Sequence, residues 1–416
     1  MSTAAESSKL RPTIQNTYST IPWFISQDGD DYTDFKKYDF AVVIGRFQPF
    51  HDGHMQLVKA ARQRAKAVII ILGSASQSRD IRNPWTEEER SYIIAQSIIY
   101  DRNNEDAVKL IASEGGLSCN YKSTAARLGY IITSVSDSPY NEQAWIKKVQ
   151  TAVDMAIRNS PNTVKNPRVC LFGQAKDHTS YYLKMFPRWS FESTPIICDG
   201  NQKSIDATKV REEFFECIVT DKRMSELALI TPAPVATFLS EFATTPECQR
   251  LVEEYKYIKE YKKKWASSPF PPMFVTTDAV VVQAGHIIMV TRGGQPGNGL
   301  LALPGGFLNQ NESIVDCMLR ELKEETRLKV HKSIIKGSIK RSRVYDYPTR
   351  SQRGRVISHA YLIELEGKNE DRGALPKVRG SDDAAYADWY PLASLQCNQV
   401  FEDHYHIIMD MLGMNE

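Results

Sequence analysis

Two histidines stand three residues apart in the segment "GRFQPFHDGH", residues 45–54. His51 and His54 are two of only eight histidines in the chain, and the glycine between them allows a tight backbone turn. An apolar run, residues 40–44, precedes the segment, and a helical pattern begins at His54. Backbone N–H groups at a helix start bind phosphate, and two adjacent imidazoles can stabilise charge that develops on a phosphoryl oxygen. The spacing therefore predicts a phosphoryl-transfer site; the alternative is two unrelated polar histidines in a loop.

Three carboxylates in the segment "ELKEET" have the spacing of one helix face. Glu321, Glu324 and Glu325 stand at positions i, i+3 and i+4. Exposed like charges at that spacing repel by a few tenths of a kcal/mol per pair, and a divalent cation removes the repulsion. Hard oxygen ligands suit Mg²⁺, or Mn²⁺ as an alternative, and both cations bind substrate phosphates. The pattern predicts a metal site unless it is a solvated acidic stripe.

The elements around the histidines alternate between buried strands and amphipathic helices. Strand 40–44, helix 54–66 and strand 67–72 follow one another, and continuous apolar strands are typical of a parallel sheet covered on both faces. Further strands are predicted at residues 130–135, 169–173 and 195–198, and further helices at 86–100, 141–158 and 208–216. This predicts a doubly wound α/β domain over residues 39–245, with residues 101–127 fitting an inserted loop or a short helix equally well. Ligands of such sheets bind at the carboxyl ends of the strands, where the two histidines lie.

A change of pattern separates a second domain from the first. Residues 246–271 combine a charged helix with the stretch "SSPFPP", and they predict a linker helix followed by a rigid spacer. Beyond them, strands are predicted at 274–283, 286–291, 336–345 and 356–364, and helices at 312–326 and 403–411. This predicts an α+β domain over residues 272–416. Residues 1–38 are interpreted as a polar, partly ordered arm without an apolar signal segment.

Composition excludes several classes of protein. With 416 residues, 42% apolar and 25% charged, the chain is expected to be globular with two or three domains. Its 52 basic and 50 acidic residues give a net charge of +2, so neither nucleic-acid nor membrane binding is expected and any anion must be held locally. Seven cysteines without a C-x-x-C pair favour reduced thiols and a cytoplasmic location. The sequence leaves open whether the chain forms a homo-oligomer.

The segment at residues 45–54 resembles the signature of the H-x-G-H nucleotidyltransferases, and within them the nicotinamide-mononucleotide (NMN) adenylyltransferases. Four further segments resemble this family in the expected order: "NPWTEEERSYII" at 83–94, "YNEQAW" at 140–145, "GQAKDHTSYYLKMFP" at 173–187 and "IDATKVR" at 205–211. In the last of these, Asp206 replaces the usual serine and removes a hydroxyl donor. The resemblance implies that ATP and NMN yield NAD and pyrophosphate, the NMN phosphate attacking the α-phosphorus of ATP. The attacking phosphate is already ionised, so the protein is expected to position the substrates and stabilise charge, with Mg²⁺ on the triphosphate.

The resemblance also implies roles for individual residues. His51 and His54 would face the phosphoryl groups, and Arg211 would hold leaving oxygens with Arg46 and Thr208. The substrate-binding residues it implies are Gly45, Arg46, Phe47, Gln48, Trp85, Arg90, Asn141, Trp145, Lys176, Asp177 and Thr208. Alternatives stay open for some of them: Arg90 as a surface residue, the two tryptophans as core, and Lys176 and Asp177 as a solvated loop.

The acidic helix belongs to a longer segment, residues 305–328, that resembles the Nudix box. The resemblance implies that Glu321, Glu324 and Glu325 bind metal or act as the base, Glu324 being the catalytic choice. It also implies that Arg320 orients a carboxylate, that Gly306 supports the box, and that Glu312 supports the box or a metal. The final glycine of the box is replaced by Arg327, so the helix either carries strain there or ends differently.

Segments 345–362 and 401–408 resemble parts of ADP-ribose pyrophosphatases. Arg350, Arg353 and Arg355 are then diphosphate-binding candidates, or residues of a solvated basic loop.

The fused pair resembles bifunctional NMN adenylyltransferase/Nudix hydrolases. This implies ATP, NMN, NAD and ADP-ribose as ligands, with ADP-ribose cleaved to AMP and ribose 5-phosphate. The alternatives are a second domain that only senses ADP-ribose or cleaves another nucleoside diphosphate, and a first domain that acts on another phosphate acceptor such as phosphopantetheine.

Overall fold

Two sheets organise the protein. The computed structural model describes residues 36–101, 107, 109, 120–162, 164–174, 182–194, 205–366, 374–380 and 384–414. The predicted strand 195–198 lies outside these residues, as do Lys176 and Asp177. Within the described part of the chain, no helix is long and apolar enough to cross a membrane.

The first sheet contains five described parallel strands in the order β3-β2-β1-β4-β5. The strands are β1 Tyr38–Gly45, β2 Ala65–Leu72, β3 Tyr130–Ser134, β4 Val169–Gly173 and β5 Ser190–Ser193. Alternate residues of β1 enter different cores, because Ala41 and Val43 pack in one cluster while Phe40 and Val42 pack in the other. Both faces of the sheet are therefore covered, and the predicted doubly wound fold is confirmed.

Six described helices accompany this sheet, and the first two follow the carboxyl ends of β1 and β2. They are α1 Asp52–Arg64, α2 Glu87–Ile99, α3 Tyr121–Arg127, α4 Glu142–Arg158, α5 Ala207–Val219 and α6 Ala233–Phe242. Side chains cap several of them: Thr86 and Glu89 form a reciprocal capping box at α2, and Asp206 accepts from the N–H of Thr208 at α5. Of the two alternatives for residues 101–127, the described part contains a short helix, α3.

The charged helix between the domains is α7, Pro246–Lys263, and one face of it belongs to the first core. Cys248, Leu251 and Val252 are buried in the same cluster as Ala41 and Val43. Thr245 caps its N-terminus and a proline occupies the first turn, which suits a helix start. The N-terminal half of the helix is thus packed against the first domain, and its last turn is mostly exposed.

The second sheet is mixed and follows the order β10-β11-β6-β7-β12, with β8 and β9 paired to β7 and β6. Its strands are β6 Met273–Gln283, β7 His286–Arg292, β8 Leu301–Ala302, β9 Gly305–Phe307, β10 Ile339–Tyr345, β11 Arg355–Glu364 and β12 Ala384–Pro391. Three helices pack around it: α8 Ile314–Thr326, α9 Lys332–Gly337 and α10 His404–Met411. The predicted start of strand 336–345 is wrong, because His331 caps the short helix α9 and the chain enters β10 only at Ile339.

Candidate active sites

The two histidines meet at the start of α1. Their rings stack with centroids 3.6 Å apart and planes inclined by 21°. The Nδ1 atom of His51 accepts from the N–H of His54, and the Nδ1 atom of His54 accepts from the N–H of His51, both at 3.4 Å. An Nδ1 atom that accepts a hydrogen bond leaves the proton of the neutral ring on Nε2. Each imidazole is therefore held in the tautomer whose Nε2–H can donate to an anionic oxygen.

The loop before the histidines is shaped by aromatic packing. Phe47 adopts a left-handed conformation with φ of 51°, and its ring contacts that of His54 edge-on at 4.9 Å between centroids. A side chain at Gly45 would place Cβ 2.9 Å from the Phe47 ring, closer than real contacts allow. The predicted residues Gly45 and Phe47 therefore support the position of His54 through packing.

Arg211 and Arg46 bring two positive charges to this edge of the sheet. Arg211 is buried; it donates to the backbone carbonyl of Gln48 and, at 3.2 Å, to the hydroxyl of Thr208. Burial, followed by the charge of Arg46, lowers the pKa of Arg211 to about 10. Burial also lowers the pKa of Arg46, with the charge of Arg82 the next cause. Both guanidinium groups stay charged at neutral pH, so the cluster carries a mutual repulsion that an anion would relieve.

Arg82 is the residue of this cluster that sequence reasoning missed. It lies in the loop between β2 and α2, and its charge lowers the pKa of Arg46 and of Arg211. The available signal was its position, since a basic residue after the carboxyl end of β2 faces the same edge as the histidines. Two arginines from loops, Arg46 and Arg82, and Arg211 from the first turns of α5 thus lie at one region of the sheet edge.

Arg90 and Gln48 connect the strand ends to α2. Arg90 is fully buried and donates to four backbone carbonyls, those of Arg46, Gly73, Ser74 and Thr86, over 2.6–3.2 Å. Gln48 exchanges two hydrogen bonds with the backbone of Trp85, at 2.8 and 3.2 Å. These contacts hold the histidine loop in place, and the surface alternative for Arg90 is wrong because its side chain is inside the fold.

The two tryptophans occupy apolar surroundings. Trp85 is 1% exposed and contacts Phe214 and Phe242, with ring centroids 5.7 and 6.1 Å away, while its Nε1 has no hydrogen-bond partner within the described residues. Trp145 is half-buried against the aromatic ring of Phe186 at 6.1 Å. Asn141 caps α4 by accepting from the N–H of Ala144 at 3.0 Å. A contact of these three residues with substrate remains a prediction.

At the second sheet, Arg320 gathers the carboxylates of the acidic helix. It bonds Glu312 at 2.7 and 2.9 Å, Glu321 at 2.8 Å and Glu324 at 3.0 Å. The bond from Arg320 lowers the pKa of Glu312 to about 2. Glu325 instead accepts from the N–H of Gly305 at 2.9 Å, and burial raises its pKa to about 8. Burial also raises the pKa of Glu321.

These carboxylates fit a divalent cation by chemistry. Among the described residues no three such side chains already stand in metal-ligand geometry, because Arg320 holds Glu321 and Glu324. The half-buried acids Glu321 and Glu325 nevertheless have raised pKa values, and a cation would favour their charged forms. A Cβ at Gly306 would lie 2.4 Å from a carboxylate oxygen of Glu321, so the glycine leaves room for that side chain.

Arg327 resolves the question raised by the missing glycine. The helix ends with this residue in the left-handed region, at φ of 47° and ψ of 32°, and its N–H donates to the carbonyl of Lys323 at 2.9 Å. The helix therefore keeps the left-handed cap with a side chain in a conformation that favours glycine.

Two of the three predicted diphosphate-binding arginines, Arg350 and Arg355, lie in different surroundings. Arg350 is buried in a two-bond ion pair with Asp403, each bond 2.8 Å long, and lies 3.9 Å from Asp278. Arg355 is half-exposed and donates to the backbone carbonyl of Asp346. The solvated-loop alternative is therefore wrong for Arg350, whereas diphosphate binding by either residue stays a prediction.

Comparisons with known proteins give the same division of the chain. The cytidylyltransferase-like family model matches residues 42–213, and the NUDIX domain model matches residues 273–411. A nicotinamide/nicotinic acid mononucleotide adenylyltransferase of Acinetobacter baylyi is 31% identical over 220 residues, which are 53% of this chain and 95% of the relative. An ADP-ribose pyrophosphatase of Methanocaldococcus jannaschii is 30% identical over 138 residues, 33% of this chain and 72% of the relative.

One solved structure resembles both halves together. It is a bifunctional NMN adenylyltransferase/ADP ribose pyrophosphatase from Francisella tularensis, complexed with AMP and a manganese ion. The identity is 32%, the TM-score is 0.74, and the match covers 91% of this chain and 100% of the other. The chain belongs to the family of bifunctional NMN adenylyltransferases/ADP-ribose pyrophosphatases.

Proposed function

We propose that the protein makes NAD and pyrophosphate from ATP and NMN at the first site and hydrolyses ADP-ribose to AMP and ribose 5-phosphate at the second. The observation that carries the first half is the stacked pair His51 and His54 beside three arginine side chains. A polyphosphate would relieve the repulsion between the positive charges of this cluster. Imidazole N–H groups can donate to the oxygens of a phosphoryl group during its transfer.

The residues of the first site have distinct tasks in this reaction. Arg211 and Arg46 bind oxygens of the triphosphate, and the Nε2–H groups of the histidines donate to the phosphoryl oxygens as charge moves toward the leaving pyrophosphate. Thr208 lies in the first turn of α5, where its hydroxyl accepts a hydrogen bond from Arg211 and helps to hold that guanidinium in place. Arg90 fixes the carboxyl ends of β1 and β2, so the acting groups need little rearrangement.

The second site is built for metal-assisted hydrolysis. Glu321, Glu324 and Glu325 would hold the cation, which we propose to be Mg²⁺ with Mn²⁺ as a substitute; a manganese ion accompanies the Francisella tularensis relative. A bound divalent cation polarises the diphosphate and makes water a better nucleophile. Arg320 must then exchange carboxylate contacts, and Glu312 retains it because that pair has two short bonds.

The described cysteines support a proposal for the cell compartment. The five described cysteines, at positions 170, 217, 248, 317 and 397, are free and all but the last are buried. We propose a reducing, cytoplasmic location on this ground.

An end-product assay with two variants tests the whole proposal. Purified protein with Mg²⁺ is given ATP plus NMN in one reaction and ADP-ribose alone in another, and products are separated by chromatography. NAD in the first and AMP in the second are expected. His54→Ala should lower NAD formation at least about a hundredfold and leave AMP formation intact, and Glu324→Gln should do the reverse.

Each failure has a separate meaning. NAD without AMP would refute ADP-ribose hydrolysis and favour a sensing domain or another diphosphate substrate. If either folded variant lost both activities, two independent sites would be the wrong description.

A further inference from the structure

Arg82 of the first domain is held by a single residue of the second. One terminal nitrogen of its guanidinium donates to the backbone carbonyl of Thr349 at 2.5 Å, and the other donates to the Thr349 hydroxyl at 2.8 Å. The two residues are 267 positions apart in the chain. A guanidinium that donates two parallel bonds has its plane and its direction fixed, which a single bond does not achieve.

The loop that carries Thr349 borders the adenylyltransferase site. Tyr347, two residues before Thr349, is among the charged and titratable groups that act on Arg46. Arg82 itself acts on both Arg46 and Arg211. The second domain thus reaches the cationic cluster of the first through the turn between β10 and β11.

The loop around Arg82, residues 78–83, is held by contacts within itself, with the second domain and with α7. Asp80 accepts from the N–H groups of Arg82 and Asn83, at 2.8 and 2.5 Å, which shapes the turn. The hydroxyl of Ser78 donates to the carbonyl of Val400 in the second domain at 3.0 Å. Glu254 of α7 links the two domains, because its carboxylate accepts from the N–H of Ile81 at 3.2 Å and from that of Gly297 at 3.0 Å.

Thr349 is in turn held by its own neighbours. Arg350 is fixed by its two bonds to Asp403, and Tyr345 packs edge-on against Tyr140 of the first domain with ring centroids 4.7 Å apart. Thr349 itself is exposed, and the chain on either side of it is held by these two contacts. Both ends of the Arg82–Thr349 contact are therefore attached to ordered structure.

We propose that Thr349 is a positioning residue for adenylyl transfer: it orients Arg82 as the third cation of the triphosphate-binding cluster. The inference rests on the proposed function of the first site. A free arginine side chain would have to be ordered when ATP binds, and the contact with Thr349 does this in advance. The first site is then complete only when the second domain is in place.

The test compares Thr349→Val with Thr349→Ser. Valine keeps the shape and removes the hydroxyl, whereas serine keeps the hydroxyl and serves as the matched control. We expect Thr349→Val to raise the KM for ATP about three- to tenfold with a smaller change in kcat, and Thr349→Ser to stay within about twofold of wild type. Arg82→Gln should raise the same KM further, and the double variant should resemble Arg82→Gln alone, since contacts in one path are not additive.

Several results would overturn the inference. These are a Thr349→Val enzyme with an unchanged KM for ATP, equal defects in the valine and serine variants, additive effects in the double variant, or an increase in the KM for NMN instead of ATP. ADP-ribose hydrolysis should stay within about twofold in all variants, and its loss would assign Thr349 to the second site.

Binding measurements separate this inference from the proposed function. Titration calorimetry with ATP alone reports triphosphate affinity without turnover. A wild-type protein that binds ATP but forms no NAD would refute only the proposed reaction. A Thr349→Val protein that binds ATP as tightly as wild type would refute only the role of Thr349.

Discussion

Replacing Arg327 by glycine should stabilise the second domain. The residue ends α8 at φ of 47° and ψ of 32°. A residue with a Cβ atom loses about 1–2 kcal/mol in this left-handed region. Glycine avoids that cost but has more freedom in the unfolded chain, which takes back about 0.4–1 kcal/mol. The difference predicts that Arg327→Gly raises the free energy of unfolding by about 0.5–1 kcal/mol.

The control is Arg327→Ala, which removes the same side chain and keeps the Cβ atom. Any interaction made by the guanidinium is lost in both variants, so the difference between them isolates the backbone conformation. Pulse proteolysis across a urea series, with the surviving fragments identified by mass, reports the unfolding of the second domain separately from the first. With an m-value of about 2 kcal/mol/M, the midpoint of the glycine variant should lie about 0.25–0.5 M above that of the alanine variant.

An alanine variant with the same midpoint as the glycine variant, or a higher one, would contradict this prediction. That result would mean that the left-handed cap carries no cost at this residue. Activity gives a second check. The proposed metal ligands Glu321, Glu324 and Glu325 are unchanged in Arg327→Gly, so its ADP-ribose hydrolysis is expected to stay within about twofold of wild type.

Two buried acid–base groups predict opposing pH dependences of stability. His404 accepts from the N–H of Leu303, and burial lowers its pKa to about 3. The unfolded chain therefore binds a proton below pH 6.5 that the folded chain does not. The free energy of unfolding falls as a result, by up to about 1.4 kcal/mol per pH unit, as pH drops from 6.5 toward 3. Denaturation curves of the His404→Asn variant should lack this slope. Burial raises the pKa of Glu254 to about 7, so here the folded chain binds the extra proton and the free energy of unfolding falls as pH rises from about 4.5 to 7, by up to about 1.4 kcal/mol per unit. The two slopes partly cancel between pH 4.5 and 6.5 in the wild type. The free energy of unfolding of the Glu254→Gln variant should therefore rise more steeply with pH over this range, and a profile equal to that of the wild type would contradict the assignment.

Features that depend on neighbouring residues were predictable from the sequence. The buried strands β1, β2 and β4 are continuous apolar runs, and their type follows from composition alone. The contact between His51 and His54 follows from a helix start with a glycine between the two residues. The shared face of the three box carboxylates follows from helical periodicity. In each case the partners lie within a few residues, so chain geometry leaves little freedom.

Features that depend on distant partners were not predictable. The strand Ser190–Ser193 is polar and mostly exposed, and it is a strand only because its backbone pairs with β4. For Arg90 the sequence leaves open a nucleotide contact or a surface position, and only the fold places the carbonyls at the ends of β1 and β2 around its guanidinium. For Arg350 the sequence leaves open a diphosphate ligand or a solvated basic loop, and only the fold shows that Asp403 lies against its guanidinium. A long polar side chain carries no sequence signal for whether its partner is substrate or protein.

The contacts between the two domains explain why such residues matter together. Many contacts between the two domains are hydrogen bonds. Arg82 donates to Thr349, Ser78 donates to Val400, and Glu254 accepts from the N–H groups of Ile81 and Gly297. Hydrogen bonds between domains add little net stability, because the polar groups lose their contacts with water. Each bond nevertheless forms only when donor and acceptor have one relative position. An apolar interface would tolerate small sliding movements, whereas this one fixes Thr349 with respect to Arg82. The fusion of the two domains in one chain therefore contributes geometry to the adenylyltransferase site as well as joining two activities.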